Sequence, residues 1–230
     1  MQIVKIPFVE DGNEVNRKAP DKIIDFLGKL HSGDLDVYDI KDGQDIHENA
    51  LVDFENQDKV VFLGVDFRIK AQIVSAFKDS FKSAFLIIVG DFDYSFFENI
   101  DLRKVVVVNP GVEGEKLEFL NKIGVKLFSE ISDFEAAADF ITEKARGNDV
   151  YVTVDFGVVD SAFAPGTFNS TIPGLSSREF LYLLRRFFHV PRVRGFDLTG
   201  ICLEKDEKFD YRTVKLAAKA VKEFLDISGK

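Results

Sequence analysis

The sequence predicts an α/β fold of three layers, with helices on both faces of a mostly parallel sheet of about eight strands. Short β-branched and apolar runs alternate with amphipathic segments along the chain, which is the pattern of consecutive βαβ units. Several of the strand runs are apolar at every position, as expected for strands covered on both faces. The sequence contains no linker, repeat or low-complexity tract, so we predict a single domain over residues 1–230.

Eight segments have the composition of strands. They are residues 2–6, 35–40, 59–64, 84–89, 104–108, 125–128, 149–155 and 192–198. Amphipathic segments predict helices at residues 20–30, 69–81, 113–123, 133–146, 177–188 and 211–227. Ser176 or Ser177 followed by Glu179 predicts a helix N-cap, and Gly124 predicts a helix C-terminus. Ligands of such folds bind beyond the carboxyl ends of the strands, so the residues after each strand are the candidates for a site.

Composition excludes several classes of protein. The 230 residues are 46% hydrophobic, which is enough to bury a full core, and their net charge is −9. Because phosphate binding needs clustered Lys and Arg, we expect no nucleic-acid partner, and the lysines of residues 215–230 have the spacing of a solvated helix face. The apolar runs are too short to cross a bilayer, and no secretory-type segment opens the chain. With a single cysteine, Cys202, these features predict a cytoplasmic protein with no membrane partner.

The most informative segment is residues 151–174, which read YVTVDFGVVDSAFAPGTFNSTIPG and place Asp155 at the carboxyl end of a strand. This segment resembles the signature of the ureohydrolases, the family of arginase, agmatinase and formimidoylglutamase. In that family the strand ends Asp-x-Asp-x-x-Asp-Pro, and the first two aspartates bind a pair of manganese ions. Here Gly157 takes the place of the second aspartate, Asp160 matches the third, and Ser161 replaces the proline.

Two other strand ends extend the resemblance toward the N-terminus. Residues 64–67 are similar to Gly-Gly-Asp-His, with Asp66 in place and Phe67 at the position of a metal-binding histidine. After the fourth strand, Asp91 matches a bridging metal ligand of the family. Asp93 takes the place of a histidine ligand there, and Ser95 that of an aspartate.

A fourth strand end, residues 195–200, is similar to the family's Gly-x-Asp-x-x-Glu. Asp197 is kept, whereas the glutamate that helps to hold the guanidinium of the substrate falls on Gly200. The residues alone also allow structural roles. Asp66 is expected to cap backbone amides before a helix, and Asp160 and Asp197 to hold loops by accepting backbone N–H groups.

The resemblance covers nearly the whole chain and implies the arginase-type fold. Of the six ligand positions, Asp91, Asp93 and Asp155 keep a carboxylate, and oxygen ligands suit Mn²⁺ or Mg²⁺. At most one ion is therefore predicted, and a complete dimanganese centre is not, because Phe67, Ser95 and Gly157 surround the position of the second. The family's reaction uses a hydroxide that bridges two Mn²⁺ ions, so we do not expect guanidine hydrolysis by this mechanism.

Three functions remain open from the sequence. The favoured one is a ureohydrolase homologue in a structural or regulatory role, assembled with copies of itself or with an active homologue. The second is a divergent metal-dependent hydrolase of a non-peptide C–N bond, with one cation held by Asp91, Asp93 and Asp155. The third is a protein that binds a small molecule in the same crevice. Its ligand is expected to be apolar or neutral, because Phe67, Phe92 and Phe156 are near in sequence.

Overall fold

Parallel strands form a single sheet in the computed structural model, which describes residues 1–8, 13–41, 44–64, 66, 68–129 and 134–228. Within this part of the chain the eight strands are β1 (Gln2–Ile6), β2 (Val37–Asp39), β3 (Val60–Gly64), β4 (Ala84–Val89), β5 (Val105–Val108), β6 (Lys126–Phe128), β7 (Asp149–Asp155) and β8 (Val193–Thr199). They lie in the order β2-β1-β3-β8-β7-β4-β5-β6, and every neighbouring pair is parallel. The predicted parallel sheet is confirmed, and each strand begins and ends within two residues of its predicted bounds.

Helices cover both faces of the sheet. Those of the described residues are α1 (Glu14–Arg17), α2 (Ala19–Leu30), α3 (Ile46–Asn56), α4 (Ile69–Ser80), α5 (Gly114–Ile123), α6 (Phe134–Ala145), α7 (Ser177–Phe188), α8 (Leu203–Glu207) and α9 (Arg212–Ser228). The apolar sides of α2, α6, α7 and α9 pack with one set of strand residues, and those of α3, α4 and α5 pack with the other. Alternate strand residues point to opposite faces, so Val61 lies in the first core and Phe62 in the second. The three-layer arrangement is therefore confirmed.

One long helix was missing from the sequence prediction. The segment of α3 is weakly periodic, and only three of its apolar residues, Ile46, Ala50 and Phe54, are buried, so the hydrophobic pattern does not identify it. A capping signal, Asp45 followed by Glu48, marks the start of this helix. In the structure the Asp45 side chain accepts the amide of Glu48 at 3.0 Å. The short α1 and α8 were missed as well. Position 133, the predicted start of the helix that becomes α6, lies outside the described residues.

Two predicted helix ends are confirmed. Ser176 and Glu179 form a reciprocal capping box, with the Glu179 carboxylate accepting the Ser176 amide at 2.8 Å. Gly124 ends α5 in the left-handed conformation, with φ of 69°. Among the helices of the described residues, none is both long and apolar enough to span a bilayer. The capping box matters for the site because it fixes the point where the long loop after β7 returns to the helical layer.

Candidate functional site

A cleft of about 250 Å³ opens at the carboxyl ends of β4, β5 and β7. Asp91, which follows β4, and Asp155, which ends β7, both line it. Lys116 of α5 lines the same cleft. Further polar side chains in its wall are Asn109, Glu113, Asn169, Ser170 and Thr171. The structure thus brings together two of the three carboxylates that the sequence predicted for a site, in a setting that is mainly polar.

Asp155 is buried and held by the backbone. Only 8% of this residue is exposed to solvent. Oδ1 accepts the amide of Gly157 at 2.8 Å, which caps the 3-10 turn Phe156–Val158. Burial raises the pKa of Asp155, and the positive charge of Lys70 acts in the opposite direction. This carboxylate is therefore a fixed, partly desolvated group in the floor of the cleft.

Asp91 and Asp93 have different partners. Asp91 forms an ion pair with the ammonium group of Lys116, whose Nζ also lies 5.2 Å from the centroid of the Phe92 ring. The Asp93 side chain accepts the amide of Ser95 at 2.9 Å and caps the 3-10 turn Tyr94–Phe97. Among the residues that the structure describes, no group of three His, Cys, Asp or Glu side chains is arranged to hold a metal ion. The single-ion site at Asp91, Asp93 and Asp155 stays a prediction.

Asp197 lies beneath the cleft, within the sheet. It is fully buried, and its Oδ1 accepts the Thr153 hydroxyl at 3.1 Å and the Val154 amide at 3.3 Å. Burial raises the pKa of Asp197 to about 6, against the opposing effect of the Lys70 charge and of these hydrogen bonds. Burial and the negative charge of Asp197 also raise the pKa of Tyr151. Asp197 thus joins β7 to β8 within the sheet, whereas the sequence predicted that it would hold a loop.

Two lysines pair with carboxylates at or near the cleft and were not among the predicted site residues. Lys70 is fully buried, with Nζ 4.0 Å from Asp197 Oδ1, and Lys116 pairs with Asp91. They are the second residue of α4 and the third residue of α5. A cation in the first turn of a helix is disfavoured by the helix dipole. A lysine in the first turn of the helix that follows a strand is therefore the sequence signal that both share.

Two glycines at family ligand positions are closely packed. A β-carbon at position 157 would lie 2.6 Å from the backbone oxygen of Asn169. A β-carbon at position 200 would lie 2.2 Å from Asp155 Oδ1, and Gly200 has φ of +87°, which side chains rarely adopt. Neither position accepts a side chain unless the backbone or Asp155 moves. The missing aspartate and glutamate would therefore require the surrounding structure to rearrange.

Two of the three aromatic side chains expected near the crevice lie elsewhere. Phe92 and Phe156 are buried in the two apolar cores on opposite faces of the sheet, and neither is among the residues that line the cleft. Phe67 lies outside the described residues. Phe92 and Phe156 therefore give no support to the expected apolar or neutral ligand, which stays a prediction. The sequence did not determine whether each strand-end ring faces the core or the cleft.

Asp66 and Asp160 hold backbone at the edge of the site, as their expected structural roles require. Asp66 accepts the Arg68 amide at 2.9 Å just before α4 and also binds the Arg68 guanidinium. Asp160 accepts the amides of Ala162 at 2.9 Å and Gly174 at 3.2 Å. It thereby closes the loop between β7 and α7. These hydrogen bonds hold the pKa of Asp160 below its usual value.

Replacing Asp160 by Ala is expected to lower the free energy of unfolding by about 1–2 kcal/mol at pH 7, since two backbone amides lose a charged acceptor. Because the pKa of Asp160 is lowered in the folded state, its stabilisation is present above the ordinary carboxylate pKa and is lost as the pH falls through the lowered value. The difference between the proteins should therefore shrink below about pH 4. Urea denaturation at pH 7 and pH 3 measures it. A difference that is the same at both pH values would contradict this role.

The comparisons with known proteins establish the family. A model described as the arginase family matches residues 105–226, which is more than half of the chain. The chain belongs to the arginase family, the ureohydrolases that its strand-end motifs resemble.

The relatives differ in how much of the chain they match. Proclavaminate amidinohydrolase of Streptomyces clavuligerus is 39% identical over 105 residues, which are 41% of this chain and 33% of that protein. The chain matches about a third of the length of such curated relatives. An arginase from Bacillus subtilis superposes with a TM-score of 0.81 at 15% identity, over 98% of this chain and 97% of that one. A formimidoylglutamase from Bacillus subtilis subsp. subtilis str. 168 gives 0.82 at 16%, over 99% and 86%. At these identities the structural likeness shows the fold.

The described side chains do not fit the manganese pair that the family resemblance implies. The Lys116 ammonium group, which lines the same cleft, already forms a direct ion pair with Asp91. Gly157 supplies no ligand, and its position has no room for one. The Asp93 carboxylate is engaged with the Ser95 amide. Two divalent ions would need ligands that this set of residues does not present.

Proposed function

We propose that this arginase-family protein does not hydrolyse guanidines by the two-metal mechanism and instead binds a small polar molecule in the cleft between Asp91 and Asp155. The observation that carries the proposal is the packing around Gly157 and Gly200. These positions correspond to a metal ligand and to the substrate-binding glutamate, and neither accepts a β-carbon without rearrangement. A homologue that kept the reaction would need both side chains, where the Asn169 backbone and the Asp155 carboxylate now take up the space.

The character of the ligand follows from the wall of the cleft. Amide and hydroxyl side chains, at Asn109, Asn169, Ser170 and Thr171, stand beside a buried carboxylate and a lysine. Asn109 already bonds Gly90 and Gly111, and Ser170 bonds the Thr167 hydroxyl. A polar molecule can add hydrogen bonds to this wall, whereas an apolar ligand offers none. The alternative is the second function left open by the sequence, a single-metal hydrolase of a C–N bond. The two experiments below separate it from the binding of a small polar molecule.

The test of the catalytic part is urea release from agmatine and from L-arginine, with the protein in excess Mn²⁺. The wild-type protein is expected to form no urea above the rate in buffer. Urea formation that disappears in Asp155→Ala would refute the proposal, because it would show metal-dependent hydrolysis at this site. Retained urea formation in the variant would indicate a contaminating enzyme.

The test of the binding part is thermal stabilisation by agmatine, L-arginine and urea in the absence of metal. At least one is expected to raise the melting temperature of the wild-type protein. Ser170→Trp, which places a large ring in the cleft wall, should remove this effect, and Asn121→Trp on the exposed side of α5 should not. An equal response in all three proteins would mean that the compounds bind elsewhere.

A further inference from the structure

We propose that Lys70 and Lys116 supply, from within the chain, the positive charge that divalent cations would otherwise provide at the strand-end carboxylates. The inference rests on the proposed function, because it explains how the cleft keeps its carboxylates without a metal. It makes a separate claim, since it names the groups that take over the role of the cations.

The first observation is the distribution of opposite charges. Lys116 forms a direct ion pair with Asp91 at the cleft. Lys70 lies 4.0 Å from Asp197, and its charge also acts on Asp155. Asp91 and Asp197 are therefore each paired with an ammonium group, and the charge of Lys70 also acts on Asp155. The two ammonium groups offset part of the negative charge of these carboxylates and of Glu113, which lines the same cleft, and so weaken the attraction for a dication.

The second observation is where the lysines lie along their helices. Both are in the first turn, where the partial positive charge of the helix N-terminus opposes a cation. Neither the dipole nor burial favours an ammonium group there, and Lys70 is 0% exposed. The strand-end carboxylates are the groups that offset both penalties. The lysines and the aspartates thus compensate for one another's charge in a place that disfavours either charge alone.

The third observation concerns what a dication would meet. An ion placed against Asp91 and Asp155 would lie beside the Lys116 ammonium and the N-terminus of α5, which line the same cleft. Both repel a cation. Of the two lysines, Lys116 is the accessible one, with 31% of its side chain exposed. Its replacement therefore tests whether an ammonium group keeps cations out of the cleft, without disturbing the core.

The experiment is Mn²⁺ titration of wild type, Lys116→Met and Lys116→Arg, followed by the electron paramagnetic resonance signal of free Mn²⁺. Wild type and Lys116→Arg are expected to leave Mn²⁺ free. Lys116→Met is expected to bind Mn²⁺ at least about tenfold more tightly, because the repelling charge is gone and Asp91 has lost its partner. Lys122→Met, on the same helix in its last turn, is the matched control and should behave as wild type. Lys116→Gln is a second variant without the charge, for use if the methionine variant does not fold.

The outcomes separate this inference from the proposed function. If the folded charge-free variants gain no Mn²⁺ affinity, or if wild type itself binds Mn²⁺ as tightly as they do, the lysines do not replace cations and the inference is wrong. The proposed function is decided by urea release and by the thermal-stabilisation comparison. It fails if the wild-type protein hydrolyses a guanidine, or if the compounds stabilise the wild-type and both tryptophan variants equally. A gain of Mn²⁺ affinity in Lys116→Met and Lys116→Gln but not in Lys116→Arg or Lys122→Met supports the inference.

Discussion

Lys70→Ala is expected to lower the free energy of unfolding by about 3 kcal/mol, because removing one partner of a buried ion pair leaves the other charge without compensation. Asp197, 4.0 Å away and fully buried, would bear most of this cost. Lys219→Ala, on the exposed side of α9, removes the same charge and should change stability by no more than about 0.5 kcal/mol.

The effect of Lys70→Ala should depend on pH in a defined direction. The pKa of Asp197 is already raised to about 6, and the Lys70 charge holds it down, so the variant raises it further. A carboxyl group with a raised folded pKa contributes its stability below its unfolded pKa and loses it as the pH rises through the folded value. The deficit should therefore be larger at pH 8 than at pH 5 in urea denaturation. A deficit that grows toward low pH would contradict the pairing of Lys70 with Asp197.

Gly200→Ala is expected to lower the free energy of unfolding by about 3 kcal/mol, the sum of left-handed strain and overpacking. The new methyl group would meet Asp155 Oδ1 at 2.2 Å, in a residue with φ of +87°. Gly124→Ala is the matched control, because Gly124 also has a positive φ, of 69°, but no atom within 4 Å of the position of its β-carbon. The Gly124→Ala variant should lose only the contribution from left-handed backbone strain, about 1 kcal/mol of the free energy of unfolding. Chemical denaturation of both proteins measures the difference.

Equal losses in the two glycine variants would show that Asp155 moves aside readily. The floor of the cleft would then accept a larger residue at position 200, and the steric argument against the family's glutamate would fail. A clearly larger loss in Gly200→Ala supports it. The comparison also tests the position of Asp155 directly, since its Oδ1 is the atom that would be contacted.

The fold was predictable because its strands are continuous apolar runs. Such strands must be covered on both faces, which is the arrangement of a parallel sheet between two layers of helices. The central strands β4 and β7 begin and end at their predicted residues. The carboxylates of the site were predictable for a related reason, since the end of a parallel strand is a fixed place in such a fold. Asp91 and Asp155 were identified in this way, and both line the cleft.

The partners of these carboxylates were not predictable in the same way. Lys116 is separated from Asp91 by 25 positions, and its helix lies two elements further along the chain, so no local pattern connects them. The directions of Phe92 and Phe156 were misjudged because a residue just beyond a strand no longer follows the alternation of the sheet. The local sequence does contain one signal for Lys70 and Lys116. Both are cations in the first turn of a helix, where the helix dipole opposes a positive charge.

The central claim is that the protein's own ammonium groups neutralise the strand-end carboxylates, so that the cleft holds no divalent ion. Elemental analysis of wild-type protein, equilibrated with excess Mn²⁺ and Mg²⁺ and then desalted, tests it most directly. We predict a metal content near zero per chain. One tightly held ion per chain, lost in both Asp91→Ala and Asp155→Ala, would contradict the claim and support the single-metal hydrolase instead.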